Sequence, residues 1–456
     1  MTNRLLSEID IAIIGGGPAG AATALALQKQ GARPIAIFEK SQQDDFRVGE
    51  TISPNTQSIL KELGVLDSFL KDGHLPSLGS SSAWGSAQLG FNDFFLYPGR
   101  QGWHLKRSRF DASLAESAAD GGAFLMRQTK VIRWEQLRDG KWLLTLRSKD
   151  RGEFQVKASF VVDASGRRSL FAIRQGAKPV RIDQLIGVAC VFTFETDAPQ
   201  NYYTLVEATE LGWWYAARLP NQRVIVSLMS DRKLLQQYGL LQLPNWTAYL
   251  QKTQYVQELS ANASSQSRLL IQPAYSQYLD QITGDGWLAV GDAACTLDPL
   301  SSAGIHKALQ SGIKAADAIA DYFKGNSQAL STYESQALHQ FELYLEDRRK
   351  YYAMETRWSN SPFWKSRRGG ITLAPSQPLL FQESPQITKT LTGLTMYLPA
   401  KDLRLLCNFC TSGNIASDVV SKFLTQTHHQ VSAYRVIEAL QYLLEQEVIS
   451  ALPLKR

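Results

Sequence analysis

The chain has 456 residues, of which 44% are hydrophobic and 20% charged, and its formal net charge is +6. This composition excludes disordered and fibrous proteins, and the length is sufficient for about three folding units of roughly 150 residues each. The positive excess is small. It would favour an anionic small molecule or an acidic partner, and it gives little reason to expect nucleic-acid binding.

Cysteine number and apolar patterning indicate the compartment. The four cysteines are too few for a disulfide framework. No apolar run approaches the roughly 18 residues of a membrane span, and the N-terminus leads straight into a strand without an apolar leader. We therefore expect a cytoplasmic protein with no membrane association.

A glycine-rich turn follows the first predicted strand, residues 9–14, and opens an Ala-rich helix. Gly15 permits the tight bend, Gly17 lets a pyrophosphate approach the backbone, and Gly20 lets the helix pack closely against the strand. Ala19 lies in the first turn of this helix, whose N-terminus attracts phosphate charge. The turn is typical of a dinucleotide-binding site.

The second predicted strand, residues 34–38, ends in Glu39 and Lys40. Glu39 can accept hydrogen bonds from both ribose hydroxyls of a dinucleotide. Because strand, glycines, helix, strand and acid occur in this order, a glycine turn without function is a minor alternative. The pattern does not distinguish NAD from FAD.

Four later segments carry a family resemblance. They are residues 103–111, which contain Arg107, residues 160–169, where a strand meets a glycine turn, residues 286–294, where a strand ends in Gly-Asp, and residues 298–305, which open a long helix. Together they resemble the flavin-dependent monooxygenase and halogenase superfamily over roughly residues 8 to 325. The resemblance implies FAD as the cofactor, O2 as a reactant, and either NAD(P)H or a separate flavin reductase as the electron source.

The implied fold is α/β. A Rossmann-type FAD-binding domain of the glutathione-reductase-like, aromatic-hydroxylase kind would carry an inserted antiparallel-sheet substrate domain and a C-terminal helical extension. The expected boundaries are 1–75, 100–180 and 280–330 for the FAD-binding domain, 76–99 and 181–279 for the substrate domain, 331–375 for a helical linker, and 376–456 for a helical or winged-helix-like domain.

The resemblance also assigns cofactor contacts. Asp292 would hydrogen-bond the ribityl chain and Arg107 would lie over the phosphate and ribityl region, although Asp292 also suits a helix N-cap. The residues expected to hold FAD are Gly15, Gly17, Ala19, Gly20, Glu39, Lys40, Arg47, Arg107, Asp163, Gly166, Gly291, Asp292, Pro299, Ala303, Gly304 and Ile305.

The helix after Pro299 has apolar residues at helical spacing, so one face is buried. Ala303 and Gly304 at its start are small enough for a planar ring to approach the backbone. A helix N-terminus carries about half a positive charge, which would stabilise the anion of reduced flavin at its pyrimidine edge. Gly312 costs a helix about 1 kcal/mol relative to Ala, so we expect close packing there.

Halogenation, hydroxylation and plain reduction all occur on this fold. Related halogenases carry a lysine where this chain has Ser77, and their Trp-x-Trp-x-Ile-Pro signature is absent, so halogenation is disfavoured. The chain has Ser165-Gly166 where single-component hydroxylases usually have Asp-Gly, which leaves direct reduction by a nicotinamide open and makes a separate reductase plausible.

Short strings around residues 74–85, 102–105, 212–215 and 298–302 look like one subgroup, the flavoproteins that hydroxylate tryptophan in a precursor polypeptide during tryptophylquinone biogenesis. This resemblance implies a monooxygenase that hydroxylates an aromatic substrate through a flavin C4a-hydroperoxide, with a protein-bound tryptophan as one candidate acceptor. A flavin reductase or dehydrogenase, and a maturation factor with a structural flavin, are the alternatives.

Candidate substrate contacts are Trp84, Trp213 and Tyr215, and strand alternation places the last two on one face with Trp214 on the other. Ordinary sheet packing is the favoured alternative for any one of them. Candidate catalytic residues are Glu50, His104 and Ser302. Glu50 would lie near the flavin ring or be a solvated loop charge, and His104 would accept a proton from the substrate ring or be structural. Ser302 would contact the oxygenated flavin or cap the helix.

The C-terminal region has short amphipathic helices that would brace the core or bind a partner. Its Cys407 and Cys410, together with His428 and His429, have only part of a zinc pattern. Both cysteines lie in an apolar helical stretch, where cysteines usually pack. We expect no metal.

Overall fold

The computed structural model describes residues 7–31, 33–42, 51–195, 203–261, 263–265, 268–368, 373–383, 387, 396–411, 413–428 and 431–452. Its strands are β1 (Glu8–Ile14), β2 (Ile35–Phe38), β3 (Thr51–Ile52), β4 (Leu75–Ser77), β5 (Gly79–Ala83), β6 (Gly90–Asp93), β7 (Gly102–His104), β8 (Phe124–Met126), β9 (Thr129–Gln136), β10 (Trp142–Ser148), β11 (Gly152–Asp163), β12 (Pro179–Arg181), β13 (Leu185–Thr193), β14 (Tyr203–Thr209), β15 (Gly212–Leu219), β16 (Arg223–Asp231), β17 (Ser264–Ser265), β18 (Leu270–Pro273), β19 (Gln277–Leu279), β20 (Thr283–Gly284), β21 (Trp287–Ala289), β22 (Cys295–Thr296), β23 (Leu379–Phe381) and β24 (Ile449–Ala451).

Its helices are α1 (Pro18–Lys29), α2 (Thr56–Leu63), α3 (Leu66–Lys71), α4 (Arg107–Asp120), α5 (Leu170–Arg174), α6 (Arg232–Gln237), α7 (Leu243–Leu250), α8 (Gly304–Phe323), α9 (Ala329–Met354), α10 (Pro362–Arg368), α11 (Ala400–Phe409), α12 (Ala416–Gln426) and α13 (Ala433–Glu445). None of these helices is both long and apolar enough to cross a membrane.

The first sheet has a parallel centre in the order β21-β11-β1-β2-β8. β10 pairs antiparallel with β11, β9 pairs antiparallel with β10, and β20 pairs antiparallel with β21. Its central strands are continuous apolar runs, as expected for strands that are buried on both faces. The carboxyl ends of β1, β2 and β11 therefore meet at one edge, where parallel α/β sheets bind ligands. The predicted mixed α/β fold with a Rossmann-type parallel sheet is observed.

Helices α1 and α8 pack against each other over this sheet. A Cβ added to Gly312 of α8 would lie 2.7 Å from Ala22 Cβ and 2.8 Å from the Ala19 carbonyl oxygen. Only a glycine allows the two helix backbones to come this close, and the close packing expected at Gly312 is confirmed.

The second sheet has the order β17-β13-β16-β15-β14-β5-β6, with β18 paired to β13. Its strands fall within the two segments predicted for the substrate domain. One face is covered by α6 and α7 and buries Trp214 against Trp246. The opposite face carries both Trp213 and Tyr215, as the alternation predicted, and part of it packs against α9 and α10.

The long helix α9 joins the two sheets to the C-terminal region. There, α11, α12 and α13 enclose a hydrophobic cluster of their own and β23 pairs with β24. Arg435 of α13 forms a buried ion pair with Glu342 of α9. The C-terminal unit is therefore attached to α9 through this buried ion pair and through Ser432, whose hydroxyl donates to Glu342 at 3.1 Å.

Candidate active site

The glycine turn after β1 has the geometry that the sequence predicted. Gly15 has φ +114°, and an added Cβ would lie 2.3 Å from the Ala164 carbonyl oxygen, while one at Gly20 would lie 2.1 Å from the Gly15 carbonyl oxygen. Gly17 differs, because nothing lies within 4 Å of its added Cβ position. Two glycines thus allow backbone packing, and the third leaves open space beside the N-terminus of α1.

Glu39 closes this turn from the end of β2. Its carboxylate accepts hydrogen bonds from the backbone N–H groups of Gly16 and Ser41, both at 2.8 Å. Its main chain also pairs with β9, since the Thr129 N–H donates to the Glu39 carbonyl at 2.9 Å. Glu39 and Lys40 both line the cavity described next.

One large cavity of about 910 Å³ runs from this turn to the inner face of the second sheet. Its walls combine the glycine turn, the carboxyl end of β2, the start of α4, the loop after β11 and the start of α8. Of the predicted cofactor residues, those that line it are Gly15, Gly17, Ala19, Glu39, Lys40, Arg107, Gly166, Asp292, Pro299, Ala303, Gly304 and Ile305. The structure therefore gathers most of the predicted set around one elongated space.

Arg107 lies where α4 begins and forms an ion pair with Asp111, one turn later, at 3.2 Å. Both residues line the cavity, and the Arg107 side chain is only 12% exposed. A guanidinium held in this way is a fixed donor for an anion such as a pyrophosphate.

Asp292 follows Gly291, whose φ of +62° and whose 2.6 Å approach to Ala19 Cβ both require glycine. The Asp292 carboxylate contacts Lys307 Nζ at 3.1 Å and Arg167 Nε at 3.8 Å. Burial opposes ionisation of Asp292, but the nearby charges of Lys307, Arg167 and Arg107 outweigh it and lower its pKa. The carboxylate is thus an ionised acceptor that is partly open to the cavity.

The start of α8 faces the cavity as expected. Residues Pro299–Ser301 form a short turn, Ser302 adopts a left-handed conformation with φ +47°, and α8 begins at Gly304. No heavy atom lies within 4 Å of a Cβ added to Gly304. The predicted cap is not formed by Ser302, because no side chain of the described residues caps α8. The backbone amides of this helix end are therefore open to a ligand.

Asp163 was predicted to contact the cofactor, but the structure places it away from the cavity. It is fully buried, does not line the cavity, and accepts hydrogen bonds from the N–H groups of Ser165, Phe171 and Ala172 at 2.8–3.0 Å. Burial raises the pKa of Asp163 more than these hydrogen bonds lower it. Asp163 thus anchors the start of α5, while the loop that follows it, residues 164–168, lines the cavity and includes the predicted Gly166, with φ +71°.

The far end of the cavity is formed by alternate residues of the second sheet. They are Gly187, Ala189, Tyr215, Ser227, Met229, Leu270 and Gln272. Small residues at three of these positions leave room over the wall, while Tyr215 and Gln272 provide polar groups. The sequence predicted Tyr215 here but gave no signal for the small residues of β13 and β16.

Trp84 and Trp213 do not line this cavity. Helices α9 and α10 cover that part of the sheet, so the two indoles pack with Tyr352 and Trp364. The Trp213 N–H donates to Tyr352 Oη at 3.0 Å. The prediction that Trp84 and Trp213 line the substrate pocket is therefore wrong, because α9 and α10 cover both indoles.

His104 also lies behind the cavity wall. It is fully buried on β7, and its Nδ1 is 3.2 Å from the hydroxyl of Thr51, a cavity residue that the sequence analysis did not single out. Thr51 Oγ1 is also 3.0 Å from Tyr215 Oη and 3.3 Å from Thr204 Oγ1. Tyr215 is thereby connected to His104 through one threonine hydroxyl.

Other predicted residues lie elsewhere. Arg47 and Glu50 are outside the described residues. Ser77 is buried on β4, and its hydroxyl donates to the Gly79 carbonyl at 3.4 Å. Over the described ranges, no group of three or more His, Cys, Asp or Glu side chains is placed to hold a metal. Cys407 and Cys410 are buried, and burial raises the pKa of each thiol to about 12.

Comparison with known proteins agrees with this geometry. Residues 8–346 match the FAD binding domain family. LodB of Marinomonas mediterranea, named as an FAD-dependent oxidoreductase, is 29% identical over 79% of this chain and 97% of its own. A 1H-pyrrole-2-carbonyl-(peptidyl-carrier protein) brominase of Pseudoalteromonas luteoviolacea is 28% identical over 70% of this chain and 78% of its own.

Two solved structures share the fold over nearly the whole chain. The myxobacterial halogenase CndH has a TM-score of 0.74 with 21% identity, and covers 96% of both chains. The peptidyl tryptophan dihydroxylase QhpG has a TM-score of 0.66 with 22% identity, and the match covers 96% of this chain and 99% of that one.

Proposed function

The chain belongs to the FAD binding domain family and is a flavin-dependent oxidoreductase, and from this premise we propose that it is a monooxygenase that hydroxylates an aromatic ring. The proposed acceptor is a tryptophan side chain of a polypeptide. Molecular oxygen is the oxidant, and a separate flavin reductase provides the two electrons.

The cavity fits FAD along its length. Gly17 leaves space for the pyrophosphate beside α1, Glu39 lies where an adenosine ribose would end, and Arg107 and Asp292 lie between the two ends. The open amides at the start of α8 would face the pyrimidine edge of the ring. When bound and reduced, FAD would supply the activation of O2 and the transfer of one oxygen atom to the ring.

Among the residues that the structure describes, no lysine lies at the substrate end of the cavity, and this supports hydroxylation over halogenation. The lysines that line the described part of the cavity are Lys40 and Lys130. Both lie at the Glu39 end, since β9 begins beside Glu39. A halogenase needs an amine near the acceptor to hold the activated halogen, and Ser77 cannot replace it.

An aromatic acceptor suits the far end of the cavity. Gly187, Ala189 and Ser227 form a wall of small residues against which a planar ring can lie, and Met229 adds a polarisable contact. Tyr215 and Gln272 provide hydrogen-bonding groups at its rim. This arrangement orients a ring in front of the start of α8.

Ring hydroxylation releases a proton from the substituted carbon. The C–H electron pair returns to the ring, and the proton needs an acceptor. Tyr215 provides a hydroxyl at the far end of the cavity, and Thr51 connects it to the imidazole of His104. We infer that the proton passes along this chain, with His104 as the final base.

A polypeptide acceptor is supported by the names of similar proteins. QhpG is named a peptidyl tryptophan dihydroxylase, and the brominase acts on a pyrrole group held by a carrier protein. A separate reductase is the proposed electron source because Ser165 stands where an aspartate that contacts both FAD and NAD(P)H is usual.

The test uses the purified full-length protein loaded with FAD, a general flavin reductase with NADH, and 18O2. The acceptors are a synthetic peptide with one tryptophan and free L-tryptophan, each with and without bromide. One or two 18O atoms on the indole, measured by mass spectrometry, would support the proposal. Brominated indole would favour halogenation, and release of hydrogen peroxide with every acceptor unchanged would contradict monooxygenation.

A further inference from the structure

Asp298 is a buried carboxylate next to the candidate flavin site. Its side chain has no exposed surface. One carboxylate oxygen accepts from the Leu300 N–H at 2.9 Å, and the other accepts from Tyr352 Oη at 2.7 Å and from Arg348 Nε at 3.1 Å. The mechanism proposed above does not use this residue.

The partners of Asp298 come from α9, which lies outside the predicted FAD-binding domain. Tyr344, Arg348 and Tyr352 are four residues apart, so they share one face of the helix. The backbone N–H of Asp298 donates to Tyr344 Oη at 2.7 Å. Both the main chain and the side chain of Asp298 are thus held by this one face of α9.

The same face connects Asp298 to the rest of the molecule. Arg348 Nη2 donates to Asp183 at 2.9 Å, and Tyr352 Oη accepts from the Trp213 N–H of the second sheet. The charges of Asp183 and Asp298 raise the pKa of Arg348, although its burial acts in the opposite direction. One guanidinium therefore compensates two carboxylates in a buried setting.

Asp298 begins the turn that leads into α8. The turn continues through Ser301, whose hydroxyl donates to the Asp298 carbonyl at 2.8 Å and accepts from the Ala303 N–H at 3.4 Å. The start of α8 that lines the cavity follows at Gly304 and Ile305. The turn also forms the wall between the main cavity and a second cavity of about 370 Å³ between α8 and α9. A displacement of Asp298 would therefore move the amides that face the cavity.

We propose that Asp298, held by Tyr344, Arg348 and Tyr352, is a positioning residue that sets where the start of α8 meets the flavin, and that α9 is thereby part of the flavin site. The inference rests on FAD binding alone and holds whether the acceptor is hydroxylated or halogenated. Arg348 has a second effect, because it neutralises carboxylate charge close to the ring.

The experiment compares Tyr352→Phe with Tyr351→Phe. Both remove one hydroxyl from α9, but Tyr351 is 57% exposed and does not contact Asp298. Apoprotein is titrated with FAD and followed by flavin fluorescence and visible absorbance. We expect Tyr352→Phe to weaken FAD binding about tenfold, equivalent to about 1.4 kcal/mol, and to change the flavin spectrum, while Tyr351→Phe matches the wild type.

Charge variants test the second effect through the reduction potential of the bound flavin. Arg348→Gln leaves two carboxylates uncompensated near the ring, which disfavours the anionic reduced form, so its potential should fall. Asp298→Asn removes one negative charge, so its potential should rise. A merely structural role would not produce opposite signs.

The inference is overturned if Tyr352→Phe and Tyr351→Phe bind FAD equally with the wild-type spectrum, or if both charge variants shift the potential in the same direction. If Tyr352→Phe does not give folded protein, Tyr344→Phe takes its place in the comparison with Tyr351→Phe. That variant removes the acceptor of the Asp298 N–H together with a 2.7 Å contact to the Ser276 hydroxyl, and it has the same expected result.

Discussion

At the scale of single residues, the site depends on which side chains the fold leaves facing the cavity. Asp292, Arg107 and Tyr215 were predicted and do line the cavity. Asp163 does not, because its carboxylate accepts hydrogen bonds from the backbone N–H groups at the start of α5. Thr51 and Lys307 were not predicted. Lys307 lies three residues after Gly304, so the helical spacing of α8 was the signal that could have identified it as the partner of Asp292.

Asp292→Asn is expected to weaken FAD binding about tenfold. The amide has the same size but loses the charge that makes a carboxylate the stronger acceptor, a difference of about 1.5 kcal/mol or more. Fluorescence titration of apoprotein with FAD measures it. Asp321→Asn, an exposed carboxylate at the other end of α8, is the matched control and should bind FAD as the wild type does.

Thr51→Val tests the proton path. Valine has the shape of threonine without the hydroxyl, so Tyr215 and His104 would lose their connection. We expect turnover to fall about tenfold to a hundredfold with unchanged FAD content. Thr204→Val removes a hydroxyl from the same cluster without breaking the path between Tyr215 and His104. Equal losses in both variants would contradict the assigned path.

His74 makes stability depend on pH. It packs against Phe69, and burial lowers its pKa to about 4 from an ordinary 6.5. Between these values the unfolded chain binds a proton that the folded chain does not, so the free energy of unfolding decreases as pH falls through this window. Because His74 is only partly buried, we expect about 1 kcal/mol from pH 7 to pH 4.5. Urea unfolding at both values should show a smaller loss for His74→Gln, and an unchanged loss would contradict this.

At the scale of elements, the contact of α1 with α8 fixes the distance between the two helix ends that face the cavity. Gly312 allows that contact, and Ala22 and the Ala19 carbonyl are its nearest neighbours. Both helix ends direct backbone amides to the same space. The distance between α1 and α8 therefore determines whether the backbone amides at both helix ends can contact the same ligand.

Gly312→Ala is expected to destabilise the protein by about 1–3 kcal/mol despite the better helix propensity of alanine, because the added Cβ would overlap α1. Urea unfolding measures the loss. Adding Ala22→Gly removes the nearest clash and should restore part of the stability, while the contact with the Ala19 carbonyl remains. A single variant more stable than the wild type would show that the helices separate freely.

At the scale of the whole molecule, α9 connects both sheets and the C-terminal unit. It contacts Asp298 on one side and holds Arg435 through Glu342 on another. Arg349 also lies over the Tyr434 ring at 3.6 Å. Changes in the C-terminal unit can therefore reach the flavin site through one helix.

Glu342→Gln should reduce the free energy of unfolding by about 3–5 kcal/mol, because it leaves the buried Arg435 without its counter-charge. The double variant Glu342→Met with Arg435→Met removes both charges and should recover most of the loss. Calorimetry of the three proteins measures the difference. A double variant as unstable as the single one would show that the loss comes from packing.

The sequence by itself determined the nucleotide-binding half, because glycine turns, buried parallel strands and helix starts depend on local backbone geometry and appear as short ordered motifs. Tertiary structure alone decided the far end of the cavity. Which indoles of the second sheet remain accessible depends on α9 and α10, more than a hundred residues away along the chain. The same packing leaves Tyr215 and Thr51 at the cavity, places His104 behind them, and turns Trp84 and Trp213 into core. Local patterns carry no information about coverage by distant elements, and that coverage selects the side chains that can meet a substrate.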